Sequence, residues 1–247
     1  MIELPQSRCF ERNHLPATIK DALLACERLG YQYIWIDQLC IDQSNESEVQ
    51  EQISQMHRIY QHAICTLVAL EGESSSHGLP GVAVPRSWQR TVVEFSGVGF
   101  ADPCPALSRQ IRNSEWWNRG WTLQEGLYSS YLLFFTEYGI YYADPSLVGI
   151  QSDAIYQRED EDIIVPKTSD YWGVLSQYTG RNLSYQSDIL RAFTAVLQAT
   201  HGDRTYCPTK KPILSNIQAT FRMTSILKDI PIFFLKISKS LTFCILI

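Results

Sequence analysis

The sequence predicts an α/β fold, a mainly parallel, doubly wound sheet with helices on both faces. Three observations carry that prediction. Tyr33-Ile34-Trp35-Ile36 is a short run of β-branched and aromatic residues between Gly30 and a polar segment, the pattern of a strand buried on both faces. Cys65-Thr66-Leu67-Val68-Ala69-Leu70 is a second run of the same kind. Between them Val49, Ile53, Met56 and Tyr60 follow at spacings of four, three and four, one stripe of an amphipathic helix. Two buried strands joined by a helix imply parallel pairing and a right-handed crossover.

Taken in order, residues 1–14 read as irregular. Thr18 is a suitable N-cap for a helix running to about Leu29, with Asp21 near its positive end. Ile19, Leu23 and Cys26 form its apolar face, and Gly30 stops it. After the first strand, the loop Asp37-Gln38-Leu39-Cys40-Ile41-Asp42-Gln43 places two carboxylates just past the strand's C-terminal end. Ser47 and Gln50 fit a capping box for the central helix. The stretch 71–85, with Gly72, Ser74, Ser75, Ser76, Gly78, Pro80, Gly81 and Pro85, reads as a flexible loop. A short strand is expected within 92–99.

Trp116, Trp117 and Trp121 lie close together, three of the chain's six tryptophans, and read as core. A helix is expected from Thr122, then a strand over 131–136 and its partner over 139–143 across a tight turn at Glu137-Tyr138. Residues 158–162 read as an acidic surface loop, and 171–178 and 188–200 as helices. Ile189, Phe193 and Val196 form the stripe of the second. The stretch 230–247 is very apolar, but Lys236 and Lys239 interrupt it, which argues against a membrane span.

Composition narrows the function classes. At 45% hydrophobic and 19% charged, 247 residues can bury a substantial core. A net charge of −5 leaves no basic footprint for nucleic acid. The seven cysteines, at 9, 26, 40, 65, 104, 207 and 244, are odd in number and form no C-x-x-C pair. That pattern argues for a reducing, cytoplasmic setting and against a zinc site or disulfide frame. His57 and His62 are five apart and do not share a helix face well, so no metal site is predicted. The start, Met1-Ile2-Glu3-Leu4-Pro5, lacks a signal-peptide core.

Four blocks resemble, in order, the fungal heterokaryon-incompatibility (HET) domain: 33–43, the run Met56-His57-Arg58-Ile59-Tyr60-Gln61-His62-Ala63, the run 118–127 (Asn118-Arg119-Gly120-Trp121-Thr122-Leu123-Gln124-Glu125-Gly126-Leu127), and Tyr178-Thr179-Gly180-Arg181 with Ser187-Asp188-Ile189-Leu190. They cover roughly residues 14 to 205. The resemblance implies a domain over 15–207, after a shortened or mis-predicted start at 1–14 and before an unrelated tail at 208–247, read as gene-model read-through. The family's opening Leu-Ser-Tyr-x-Trp-Gly-like strand motif is missing, so a central first strand is expected to be lost. The resemblance also implies a signalling and interaction module of non-self recognition, ending in growth arrest or cell death. Its partners would be other proteins of an incompatibility pathway, or further copies of itself.

Trp121-Thr122-Leu123-Gln124-Glu125-Gly126-Leu127 also resembles Toll/interleukin-receptor (TIR) domains, which carry a tryptophan, a glutamate four residues on, and then a leucine. The order of elements is TIR-like too. In NAD-cleaving members that glutamate is catalytic, so this resemblance makes Glu125 the candidate catalytic carboxylate, NAD a substrate, and no cofactor necessary. Glu125 would hold ribose hydroxyls and stabilise an oxocarbenium-like transition state. The plainer reading is that Thr122-x-x-Glu125 is a capping box fastening a helix start. Arg119, Asp37, Asp42 and Trp121 are the candidate ligand-binding residues. Arg119 would pair with Glu125, Asp37 or a phosphate, against a simple surface ion pair. Asp37 and Asp42 lie where α/β crevices form and could meet magnesium, against the commoner service of aspartate in turns. Three readings follow: a signalling module, an NAD glycohydrolase, and a decayed gene fragment.

Overall fold

The computed structural model describes residues 12–89, 91–101, 104–143, 150–152, 171–194, 196–197, 235–236 and 243–246. The expected irregular start up to residue 11, the acidic loop at 158–162 and most of the 208–247 tail lie outside them. Helix α1 (Ala17–Arg28) carries the predicted apolar face and ends at Gly30, whose φ of +78° lets the Tyr31 N–H turn back to the Cys26 carbonyl.

Its start differs from the sequence expectation. Pro16 holds the N-cap position, and Thr18 sits inside the helix. The Thr18 hydroxyl accepts from the Gly78 N–H at 3.1 Å, and the Asp21 carboxylate accepts from the Leu79 N–H at 2.8 Å. Both side chains therefore pin the 71–85 loop onto α1 instead of serving the helix end. A Cβ on Gly78 would stand 2.7 Å from Asp21 Oδ2, and its φ is +89°, so only glycine fits. Asp21→Ala leaves the N–H of Leu79, a residue only 2% exposed, without its acceptor. The expected loss is about 1–3 kcal/mol, read as a lower urea midpoint at unchanged m.

Strands β1 (Tyr33–Trp35) and β2 (Cys65–Ala69) flank α2 (Asp37–Cys40) and α3 (Glu46–His62), as the predicted strand–helix–strand unit requires. The cap of α3 is Asn45, whose side chain accepts from the Glu48 N–H at 3.3 Å; the Ser47–Gln50 capping box does not form. Asparagine caps as well as serine, and here it stands two residues earlier.

β3 (Val92–Phe95) and β4 (Val98–Ala101) make a separate hairpin around Ser96 and Gly97, both at positive φ, where a single strand was expected. α4 (Leu107–Arg112), α5 (Glu115–Asn118) and α6 (Thr122–Tyr128) lead to β5 (Leu132–Thr136). β6 (Gly139–Ala143) pairs back antiparallel across the predicted turn, and β7 (Ile150–Ser152) pairs with β6. α7 spans Tyr171–Thr179. The helix expected over 188–200 opens as 3-10 turns at Gln186–Asp188 and Arg191–Phe193 and is α-helical at residues 194 and 196–197; Phe193 and Val196 are buried, but Ile189 is exposed.

The main sheet corrects the prediction in one respect. β1 and β2 are not neighbours. β9 (Phe243–Leu246) lies between them, parallel to both, and β8 (Leu235–Lys236) pairs antiparallel with the outer edge of β1. The order is β7-β6-β5-β2-β9-β1-β8. The centre is parallel and both edges are antiparallel, so the sheet is mixed, not mainly parallel.

Alternate strand residues face opposite sides. Cys65, Leu67 and Phe135 join one core with residues of α1, α3 and α6, while Val68, Leu132 and Phe134 join another with Leu107, Ile111 and Trp116 of α4 and α5. Helices therefore cover both faces, as the α/β prediction requires. No described helix is long and apolar enough to cross a membrane.

Candidate functional site

The α5–α6 corner is built from short-range polar contacts. Ser114 caps α5 by accepting from the Trp117 N–H at 3.2 Å, which directs Trp116 inward. The Thr122 hydroxyl reaches the carbonyls of Trp116 and Arg119. It is thus spent on the preceding turn. The N-cap of α6 is Trp121, with no side-chain cap, so the Thr122-x-x-Glu125 capping box is absent. The reason is tertiary: Glu125 turns inward, is 3% exposed, and its Oε2 accepts from Trp116 Nε1 at 3.0 Å.

Charges surround that carboxyl. Burial pushes the Glu125 pKa up to about 8, with the nearby Asp37 charge adding to the rise, while Arg119, the indole hydrogen bond and Arg181 act against it. At neutral pH the carboxyl therefore keeps its proton. The buried Tyr60 hydroxyl has its pKa raised well above the usual value, by burial first and then by Glu125 and Asp37. The fold thus brings Glu125, Arg119 and Asp37 of the predicted set into one electrostatic neighbourhood with Tyr60.

The other two predicted residues make different contacts. Asp42 accepts from the Ser44 N–H at 3.0 Å and the Ser44 hydroxyl at 2.6 Å, serving its own turn. Trp121 is half-buried against the core. Asp37 itself accepts from the Gln38 N–H at 2.5 Å at the start of α2. Among the described residues no group of three His, Cys, Asp or Glu could hold a metal ion.

Arg181 is the residue the sequence reading missed as a site member. Its Nη1 donates to the Arg119 carbonyl at 3.1 Å and to the Thr122 hydroxyl at 2.8 Å, and its guanidinium lies 4.7 Å from the centroid of the Trp117 ring. Burial lowers its pKa to about 10, against the pull of Glu125. Its Nε is buried with no hydrogen-bond partner among the described residues. The signal was in the block Tyr178–Arg181, which pointed to a family resemblance without giving the arginine a role. A short backbone ladder sets its position: the Gly120 N–H donates to the Asn182 carbonyl at 2.7 Å, and the Asn182 N–H to the Asn118 carbonyl at 2.5 Å. A Cβ on Gly120 would lie 2.5 Å from Leu183 Cδ2, so the approach requires glycine.

Chemically, this corner is a protonated carboxyl under an indole, flanked by two guanidiniums of which Arg119 is exposed. It fastens α5 to α6.

Comparison with known proteins matches residues 3–125 to the family described as heterokaryon incompatibility protein (HET). The vegetative incompatibility protein HET-E-1 of Podospora anserina is 31% identical over 109 residues, which are 44% of this chain and 6% of that protein. This chain therefore spans a small part of that relative's length. No solved structure matches.

Proposed function

We propose, for a chain whose residues 3–125 belong to the heterokaryon incompatibility family, that it is a signalling and interaction module of fungal non-self recognition, ending in growth arrest or cell death. The observation that carries this reading is the family match, which runs through the strand–helix–strand unit and ends on Glu125 itself. The module works in the cytoplasm, consistent with its scattered, odd-numbered cysteines. It acts through contacts with other proteins of an incompatibility pathway or with itself. The test is induced expression in a filamentous fungus, with protein level and solubility followed in the same cultures. Arrest or death is expected. Normal growth with abundant soluble protein would overturn an autonomous effector, and normal growth with only aggregate would favour a decayed fragment.

A second reading is NAD cleavage with Glu125 as the catalytic carboxylate. A buried carboxyl with a strongly raised pKa, in the field of two arginines, is a common mark of a reactive site. Against it stands burial: a carboxylate that stabilises an oxocarbenium ion must be ionised and must touch the sugar, whereas Glu125 is protonated at neutral pH and 3% exposed. The same cultures discriminate the two. If the enzyme reading holds, NAD falls on induction, and Glu125→Gln abolishes that fall while the protein stays folded. Arrest at unchanged NAD leaves the interaction module.

A further inference from the structure

The β3–β4 hairpin is a sheet of its own, with no third strand among the described residues. Ser96 and Gly97 take positive φ, at 53° and 75°, and make a two-residue turn whose twist suits paired antiparallel strands. The register then sets Val93 opposite Phe100 and Phe95 opposite Val98. Residues directly opposite one another point to the same face, and alternate residues along a strand to opposite faces. Val93, Phe95, Val98 and Phe100 therefore share one face, while Val92, Glu94 and Gly99 lie on the other.

That apolar face is bare. Every residue from 91 to 100 is exposed, and the four side chains of the face belong to residues 55% to 72% accessible. A two-stranded hairpin is marginal in water until a hydrophobic face is packed. Single exposed apolar residues are ordinary, but a contiguous patch marks an interaction site.

The arrangement of the four selects the occupant. One cross-strand pair reads Val–Phe and the next Phe–Val, so large and small side chains alternate along each strand and across the pair. Lay a second copy face to face across a two-fold axis in the plane of contact. With the axis along the strands, Val93 of one copy meets Phe100 of the other, and Phe95 meets Val98. With the axis across the strands, Val93 meets Phe95, and Val98 meets Phe100. Either way each phenylalanine stands over a valine, the large-against-small fit of well-packed layers. A two-fold contact demands such self-complementarity. Glu94 is the one charge within the two strands, and it lies on the opposite face.

Area sets the strength. At these exposures the two phenylalanines and two valines present on the order of 450 Å² per copy. Two such faces bury roughly 900 Å², short of the 1,200 Å² at which standard interfaces begin. That size fits a transient, concentration-dependent dimer.

We propose that two copies of this chain associate through their β3–β4 hairpins, with Val93, Phe95, Val98 and Phe100 of each stacked on the same four residues of the other. This gives the self-contact named above a surface. It rests on the exposed face alone, and purified chain can prove monomeric while the fungal cultures still arrest.

Sedimentation velocity of the full-length chain from about 1 to 200 μM tests it, a range chosen for an interface of this size. The mass is expected to rise from the 28.3 kDa monomer towards twice that value with concentration. Phe95→Lys sets a charge within the patch and should raise the midpoint about tenfold or more. Val93→Phe adds apolar area but brings phenylalanine against phenylalanine under either axis, so it should weaken the dimer too. Glu94→Lys, on the other face, should leave the midpoint within about twofold. All three changes are at exposed positions, and urea midpoints matching the wild type show that the variants are folded. Chain that stays monomeric throughout overturns the dimer; if it then floats with phosphatidylcholine vesicles and Phe95→Lys does not, the face belongs to a lipid surface instead. Association that ignores Phe95→Lys, or that Glu94→Lys weakens as strongly, lies elsewhere on the molecule and overturns it as well. Association tightened by Val93→Phe overturns the interlocking stack.

Discussion

Raising the pH from about 5 to 9 destabilises this protein, and Glu125→Gln removes the effect. The folded Glu125 holds its proton up to about pH 8, against an ordinary value of 4.5. Between those values the native state binds more protons than the unfolded chain, so stability falls as pH rises. The contribution is fully present below pH 4.5 and is lost as pH climbs through 8. At about 1.4 kcal/mol per pKa unit, the loss is on the order of 4 kcal/mol. The residue is 3% exposed, so solvent does little to screen the effect. Arg119 and Arg181 already oppose the shift, and Asp37 adds to it. Glutamine is close in shape to the protonated acid and can still accept from Trp116 Nε1, so the variant matches the wild type near pH 5 and exceeds it at pH 9. Urea midpoints of both proteins across that range read the difference. Parallel curves would contradict the raised pKa and with it the assignment of Glu125 as a neutral fastener.

That carboxyl also shows where sequence reasoning reached and where it stopped. The runs at 33–36 and 65–70 were legible because a strand buried on both faces needs a continuous apolar stretch, and the central helix because its stripe repeats at helical spacing. Gly30 and the turn at Glu137-Tyr138 were legible because backbone geometry at such points is local. Capping was not. Ser47 and Thr122 carry the right hydroxyls, yet Asn45 stands ahead of the first and the Trp116 carbonyl captures the second. A short motif names a local contact, and a tertiary partner can claim the same atom. Strand order was hidden for a related reason: periodicity marks Phe243–Leu246 as apolar but says nothing of which strands it will part. Arg181 was hidden because its contacts, Thr122 and Trp117, lie far away in sequence.

Phe134→Ala is expected to cost about 3–5 kcal/mol, the ordinary range for emptying a buried phenylalanine site. Phe134 is fully buried in β5, opposite Val68 of β2 and Tyr141 of β6. Backbone pairing on both sides keeps the strands from closing the void, which favours the upper half of that range. For a chain of this size the melting temperature should fall by about 10 °C. The substitution also reaches the site. Phe134 meets the Trp116 ring edge to face, with centroids 5.7 Å apart at 86°, and so helps fix the indole whose N–H bonds Glu125. With that wall removed, the indole gains room to turn, water gains a path to the carboxyl, and the Glu125 pKa relaxes towards 4.5. The pH slope of stability should therefore flatten in Phe134→Ala and persist in Phe134→Leu, which keeps most of the volume. A small stability loss with an unchanged slope would mean that the indole is held by α5 alone, through the Ser114 cap, and that the sheet contributes nothing to the state of Glu125.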